Sequence, residues 1–261
     1  MKVSRVLRPA VGLVALMTAA APAAAERLIT SLSNHRVMVT PSYAGEELVL
    51  FGAVERDAQT VTRRSGYDVV ITVTGPRRTM VTWRKERVLG IWVNADPRVF
   101  ENAPTYLAVL ASRPLEQIAS KDVLRRLQIG LDNFLLPQRI GDDTADVVAN
   151  DPFRTAFLRL RSEQGLYREE PNAVTFLTPN LFRASIPLPA EVPVGTYEID
   201  VKLFADGAMI ARTASALEII KVGFEQFVAD AARQHGLLYS FATAMMALFT
   251  GWLASVVFRR D

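Results

Sequence analysis

The chain has 261 residues, half of them hydrophobic, no cysteine, two histidines, and 30 Lys and Arg against 27 Asp and Glu, a formal net charge of +3. The absence of cysteine excludes a disulfide framework, a thiol nucleophile and a thiolate metal site, and so small a charge gives no argument for a nucleic-acid partner. His35 and His235 lie near opposite ends, so no zinc site of His-x-x-His spacing exists, and the sequence holds neither a Gly-x-Ser-x-Gly elbow nor a phosphate-cradling glycine loop.

In chain order, "MKVSRVLRPAVGLVALMTAAAPAAAER" places Lys2, Arg5 and Arg8 ahead of a short apolar stretch that closes on Ala23, Ala24 and Ala25. This is the layout of a secretory signal, residues 1–25, cut before Glu26; the alternative is an uncleaved N-terminal anchor. Either way the following domain, 26–222, is expected to be exported, and we read it as periplasmic.

β structure dominates that domain. "ELVLFGAVE" (Glu47 to Glu55) is a strand-length apolar run, and "YDVVITVTG" alternates Tyr67, Val69, Ile71 and Val73 with Asp68, Val70, Thr72 and Thr74, the period of a half-buried strand. "RTMVTWRKERVLGIWVNADP" predicts a hairpin, Thr79 to Trp83 and Val88 to Val93, with Arg84-Lys85-Glu86-Arg87 as its turn. Two helices are predicted as an insertion around 114–165. One lies in "RPLEQIASKDVLRRLQIG", with Pro114 in the first turn; the other lies in "DPFRTAFLRLRSEQGLY", ended by Gly165. The intervening "GDDTADVVAND" is expected to be a loop.

The strongest local signal is "VPVGTYEIDVKLFADGAMIARTASALEIIKVG". Tyr197, Ile199, Val201 and Leu203 form a dry face against a wet face of Glu198, Asp200 and Lys202, and Asp206-Gly207 suits a type I′ turn before the return strand, Ala208 to Ile220. A Pro-x-Gly-x-Tyr entry into such a hairpin resembles an immunoglobulin-like sandwich. A juxtamembrane helix is expected over 223–236. Residues 237–258 then carry no charged side chain, and their nine Leu, Phe and Val favour bilayer insertion by about 3 to 5 kcal/mol. Tyr239, Trp252, Arg259 and Arg260 suit a membrane anchor with a cytoplasmic tail, 259–261. Ser240, Ala244, Ala247, Gly251 and Ser255 form a stripe of small residues suited to packing against a partner helix, although small residues are common in such helices.

Candidate chemistry is sparse. The group Asp142, Asp143, Asp146 and Asp151 lacks the spacing of a calcium loop and reads as solvated, and His235 reads as interfacial. Arg77, Arg78, Arg84, Lys85 and Arg87 beside Trp83 and Trp92 form the densest basic and aromatic cluster. Apart from ordinary turn charges, an exported domain would use them for a small anion, a lipid headgroup or an acidic partner surface.

The runs "RPLEQIAS", "ERVLGIWVN", "LFRASIPLPAEVPVGTYEIDVKLF", "KVGFEQF" and "LFTGWLASVVFRR" resemble the alphaproteobacterial putative transmembrane protein family over nearly the whole mature chain. The resemblance implies a signal peptide, a periplasmic domain and one C-terminal span. Through members encoded near sulfite-exporter-like permeases of the TauE/SafE type, it also implies a transporter partner. It brings no catalytic residue, metal or cofactor.

The expectation is thus a mainly β chain: an immunoglobulin-like sandwich with a helical insertion, followed by a juxtamembrane and a single transmembrane helix. Its expected place is the bacterial inner membrane, with the bulk periplasmic and the C-terminus cytoplasmic. Its expected role is that of a non-enzymatic accessory subunit of a multi-pass membrane protein, homo-oligomerisation remaining open. The alternative is a binding module for a small anion or lipid headgroup.

Overall fold

In the computed structural model, residues 26–55, 66–140, 143–146, 151–223, 232–233 and 235–257 are described. The signal segment, residues 224–231 and 234 of the expected juxtamembrane helix, and Arg259 and Arg260 lie outside them. The chain is mainly β, in three sheets. The first has the order β1 (Arg27–Leu32), β3 (Glu46–Glu55), β12 (Leu181–Leu188), β11 (Val174–Thr178), all antiparallel. The second has the order β10 (Tyr167–Glu170), β7 (Leu107–Ala111), β4 (Asp68–Thr74), β13 (Gly195–Ala205), β14 (Ala208–Lys221), β2 (Arg36–Val39). Both of its outermost pairings, β10 on β7 and β2 on β14, are parallel.

These two sheets face each other across one core. Leu48, Leu50, Phe182, Ala184 and Ile186 of the first meet Val69, Ile71, Val73, Ile199, Val201 and Leu203 of the second, all at most 1% exposed. Side chains of period two place alternate residues inward, and each such burial is worth roughly 1.5–3 kcal/mol. The predicted Asp206-Gly207 turn is present, with both residues at positive φ (52° and 80°) as a type I′ turn needs.

Two expectations about the second sheet change. The strand at 68–74 is buried on both faces, because β4 is central and its outer face is covered. The cover is the first predicted helix, which is in fact two short ones, α1 (Leu115–Ile118) and α2 (Lys121–Arg126). Ala119 is extended between them and the Ser120 side chain caps Val123 N–H, so the chain turns there and continues over the sheet. Leu115, Ile118, Leu124 and Ile129 pack on Val70, Val109 and Phe204 as a second apolar cluster. The second predicted helix is α3 (Pro152–Glu163), capped by Asp151 and followed by Gly165 at φ +68°.

The predicted hairpin exists but its turn is elsewhere. β5 (Arg77–Val88) and β6 (Ile91–Pro104) are joined by Leu89-Gly90, at φ 51° and 89°, so Arg84-Lys85-Glu86-Arg87 is strand. A charged run can remain in a strand that is solvated on both faces, whereas Gly90 can adopt the positive φ that a two-residue turn demands. β6 also pairs with β8 (Pro137–Ile140), and β8 with β9 (Asp143–Asp146), so part of the expected loop is strand as well.

Tyrosine hydroxyls tie the layers together. Tyr197 donates to Pro193 C=O at 2.6 Å, Tyr106 to Pro187 C=O at 2.5 Å and Tyr167 to Pro104 C=O at 2.7 Å. Burial pushes the pKa of all three phenols up, which keeps them neutral donors. The last element, α4 (Gly236–Val257), is 22 residues long.

Candidate functional site

The β5–β6 hairpin is an arm. Beyond the Val99 and Phe100 pairing with β8, no third strand joins it among the described residues, so its outer part is a two-stranded ribbon about 20 Å long. The base is held by α3, where Phe100 stacks on Phe157 at 4.3 Å and the Arg98 guanidinium lies 4.7 Å from the centre of the Phe153 ring. The tip is bare: Leu89 is 100% exposed, Trp92 69% and Ile91 65%. Arg87 lies directly opposite Trp92, Arg84 pairs with Glu86 and Asp96, and Lys85 is opposite Asn94.

The five basic residues singled out in the sequence therefore fall into two groups. Arg84, Lys85 and Arg87 are on the outer arm. Arg77 and Arg78 are at its base, several strand residues away. Register places that base: Thr74 pairs with both Glu198 and Leu107, and Gly195 with Ile219. The arm thus leaves the sandwich at the end where β14 finishes at Lys221 and the chain continues toward α4.

On α4, Leu237, Phe241, Met245, Leu248, Phe249 and Trp252 are all exposed, as are Ser240, Ala244, Ala247, Gly251 and Ser255. Ser240 Oγ donates to Gly236 C=O at 2.8 Å, and Thr250 Oγ1 to Met246 C=O at 2.5 Å, so these hydroxyls are satisfied within the helix. Among the described residues no helix is long and apolar enough to cross a membrane.

The structure also assembles a cavity that the sequence did not announce. Residues 198, 200 and 202 share the outer face of β13, which reads as wet; yet Asp200 is 8% and Lys202 5% exposed, and Phe134 with Arg126, Leu127 and Gln128 at the end of α2 lines the same cavity. Lys202 Nζ donates to Asp200 Oδ2, and Arg212 Nε donates to Asp200 Oδ1 at 2.7 Å. That carboxylate pushes the Arg212 pKa up. Arg77 reaches the same cavity, lying 5.6 Å from the centre of the Phe134 ring. The one sequence signal for this site is a strand whose outer face carries opposite charges two residues apart, which by itself says nothing of a cavity.

Of the acidic group at 142–151, Asp151 caps α3 and accepts from Gln138 Nε2, while Asp142 lies outside the described residues. Among the described residues no three His, Asp or Glu are grouped to hold a metal ion. His35 is exposed immediately before β2, and His235 immediately precedes α4, its carbonyl accepting from Tyr239 N–H at 2.9 Å.

A family model described as putative transmembrane protein matches residues 27–260. The chain belongs to this alphaproteobacterial family. Membership covers the arm, the cavity and α4 alike, and it supports an association with a membrane. Comparison with curated proteins finds no match.

Proposed function

We propose that this chain is a membrane-anchored accessory subunit: an exported, immunoglobulin-like periplasmic domain held at the bacterial inner membrane by α4, with its C-terminus in the cytoplasm. The observation that carries this reading is α4 itself, which is 22 residues long, free of charged side chains and exposes Leu237, Phe241, Met245, Met246, Leu248, Phe249 and Trp252. At roughly 1.5 Å per residue it reaches about 33 Å, a hydrocarbon thickness. The absence of charge is the weightier fact, since one Arg, Lys or Asp at the centre of a span costs about 2.5 to 3.5 kcal/mol, more than small and hydroxyl residues that bond within their own helix.

The immunoglobulin-like reading is supported by strand order. β1-β3-β12-β11 matches the A-B-E-D sheet, and β14-β13-β4-β7 matches G-F-C-C′. The Tyr197 to Pro193 hydrogen bond has the form of a tyrosine corner at the start of strand F.

The bilayer partner in this reading is a multi-pass protein, a TauE/SafE-type permease in the terms of the family resemblance, met along the small-residue stripe. A Cβ on Gly251 meets no atom within 4 Å, so Gly251→Leu leaves the single chain unstrained. Crosslinking of tagged full-length protein in native membranes should capture one multi-pass protein, and that capture should be lost in Gly251→Leu and when α4 is replaced by an unrelated span. Equal capture in all three forms overturns the reading.

A second reading is favoured by the arm, whose apolar tip and Arg84, Lys85 and Arg87 suit an anionic lipid surface and which starts at the anchor end of the domain. Leu89 is fully exposed in a left-handed conformation that leucine disfavours, so the domain carries it at a cost. Leu89→Asn should stabilise the domain by about 0.5 to 1 kcal/mol. In a Trp252→Phe background, brominated anionic lipids in proteoliposomes should quench Trp83 and Trp92, and less so once Leu89 is replaced. Emission indifferent to the brominated lipid excludes this reading.

A further inference from the structure

The cavity on the outer face of the second sheet is distinct from the arm tip and from α4, and it has the makings of a ligand site. Its volume is about 300 Å³, room for roughly ten waters at about 30 Å³ each. Four cations line it, Arg77, Arg126, Lys202 and Arg212, against two carboxylates, Glu198 and Asp200, which leaves a surplus of two positive charges. Asp200 carries one negative charge and accepts from both Lys202 and Arg212, so it does not neutralise all four cations.

The buried donors are under-used. Thr72 is 6% exposed, lies opposite Asp200 in the β4–β13 register and lines the cavity, and its Oγ1 has no hydrogen-bond partner among the described residues. The Lys202 ammonium has three donors, and Asp200 is the hydrogen-bond partner it has among the described residues. A buried hydroxyl without a partner and a buried ammonium with donors to spare are costly, and an acceptor-rich guest satisfies both.

We propose that this cavity binds a small oxyanion bearing one or two negative charges, with Lys202 and the Thr72 hydroxyl donating to it from the floor and Arg126 closing over it from the end of α2. Sulfate, phosphate and a short dicarboxylate share this chemistry, and Arg126, itself exposed, stays accessible to it from solvent. The site stands whether or not α4 finds a partner or the arm meets lipid.

The test uses full-length protein in an uncharged detergent, with thermal unfolding followed against sodium sulfate, sodium phosphate and sodium succinate, each matched in ionic strength by sodium chloride. At least one of the three should raise the melting temperature saturably above the chloride reference, since a ligand that binds the native state alone stabilises it, and the arm that responds identifies the source of the oxyanion. Arg126→Gln, on the surface and remote from the core, should raise the half-saturating concentration about tenfold, and Thr72→Val should raise it several-fold. Arg125→Gln, exposed on the same helix but outside the cavity, should leave it unchanged. A response no greater than that of chloride in all three arms overturns the proposal, and so does a rise that Arg126→Gln leaves intact.

Discussion

Gly52→Val should destabilise the domain by about 3 to 5 kcal/mol, the size of losing a buried phenylalanine. Gly52 is buried in β3 directly opposite Phe182 of β12, and a Cβ placed on it would stand 2.1 Å from Phe182 Cζ and 2.6 Å from both Cε atoms. The ring of Phe182 is 0% exposed and also lies 5.7 Å, centre to centre, from Phe176, so it has no empty space to swing into. The backbone at Gly52 is ordinary strand; the requirement is for room and not for a special φ. Denaturant unfolding followed by circular dichroism gives the midpoint. In the same chain, Phe182→Ala alone should also be costly, while Gly52→Val with Phe182→Ala should be less damaging than the sum, because the valine then fills space the ring vacated. Strict additivity would mean that the two side chains do not compete for one volume.

Asp200→Ala should cost about 3 to 5 kcal/mol, and Lys202→Met much less. Asp200 is buried and accepts from Lys202 and Arg212. Removing it leaves the Lys202 ammonium, with its side chain only 7% exposed, without a counter-charge in a low-dielectric site. Removing the lysine charge is the milder change, since Asp200 retains Arg212, whose side chain is 55% exposed and stays hydrated. The measurement is again the unfolding midpoint, with both variants compared at one pH. Equal losses would mean that Lys202 is valuable for packing and not merely tolerated through its partner. This asymmetry also separates structure from binding: Asp200 holds the floor of the cavity together, whereas Thr72 and Arg126 face what would occupy it.

Much of this architecture is written in local sequence. The alternation through Tyr197, Ile199, Val201 and Leu203 made β13 a strand with a dry face, Asp206-Gly207 made its turn, and Pro152 and Gly165 bracketed α3, because period, capping and positive φ are decided by residues a few positions apart. The absence of charge from Leu237 to Phe258 likewise needs no fold to be read.

Other features depend on segments distant in the chain. Period two says that a strand has two faces but not what covers each. The face carrying Asp200 and Lys202 looked wet, and only the return of α2 and Phe134 beside it made a cavity in which, among the described residues, Thr72 Oγ1 has no hydrogen-bond partner. Val70 looked half exposed until α1 and α2 covered β4. The charged run Arg84 to Arg87 looked like a turn because charge is a weak proxy for solvent, and solvent surrounds a free arm as fully as a loop. The sequence by itself determined β3, β4 and the β13–β14 hairpin with its type I′ turn, α3 and the charge-free helix, all set by neighbours within a turn or two. The tertiary structure alone decided the pairing of the two sheets, the true tip of the arm and the burial of Lys202 against Asp200, since those follow from desolvation by residues tens of positions away.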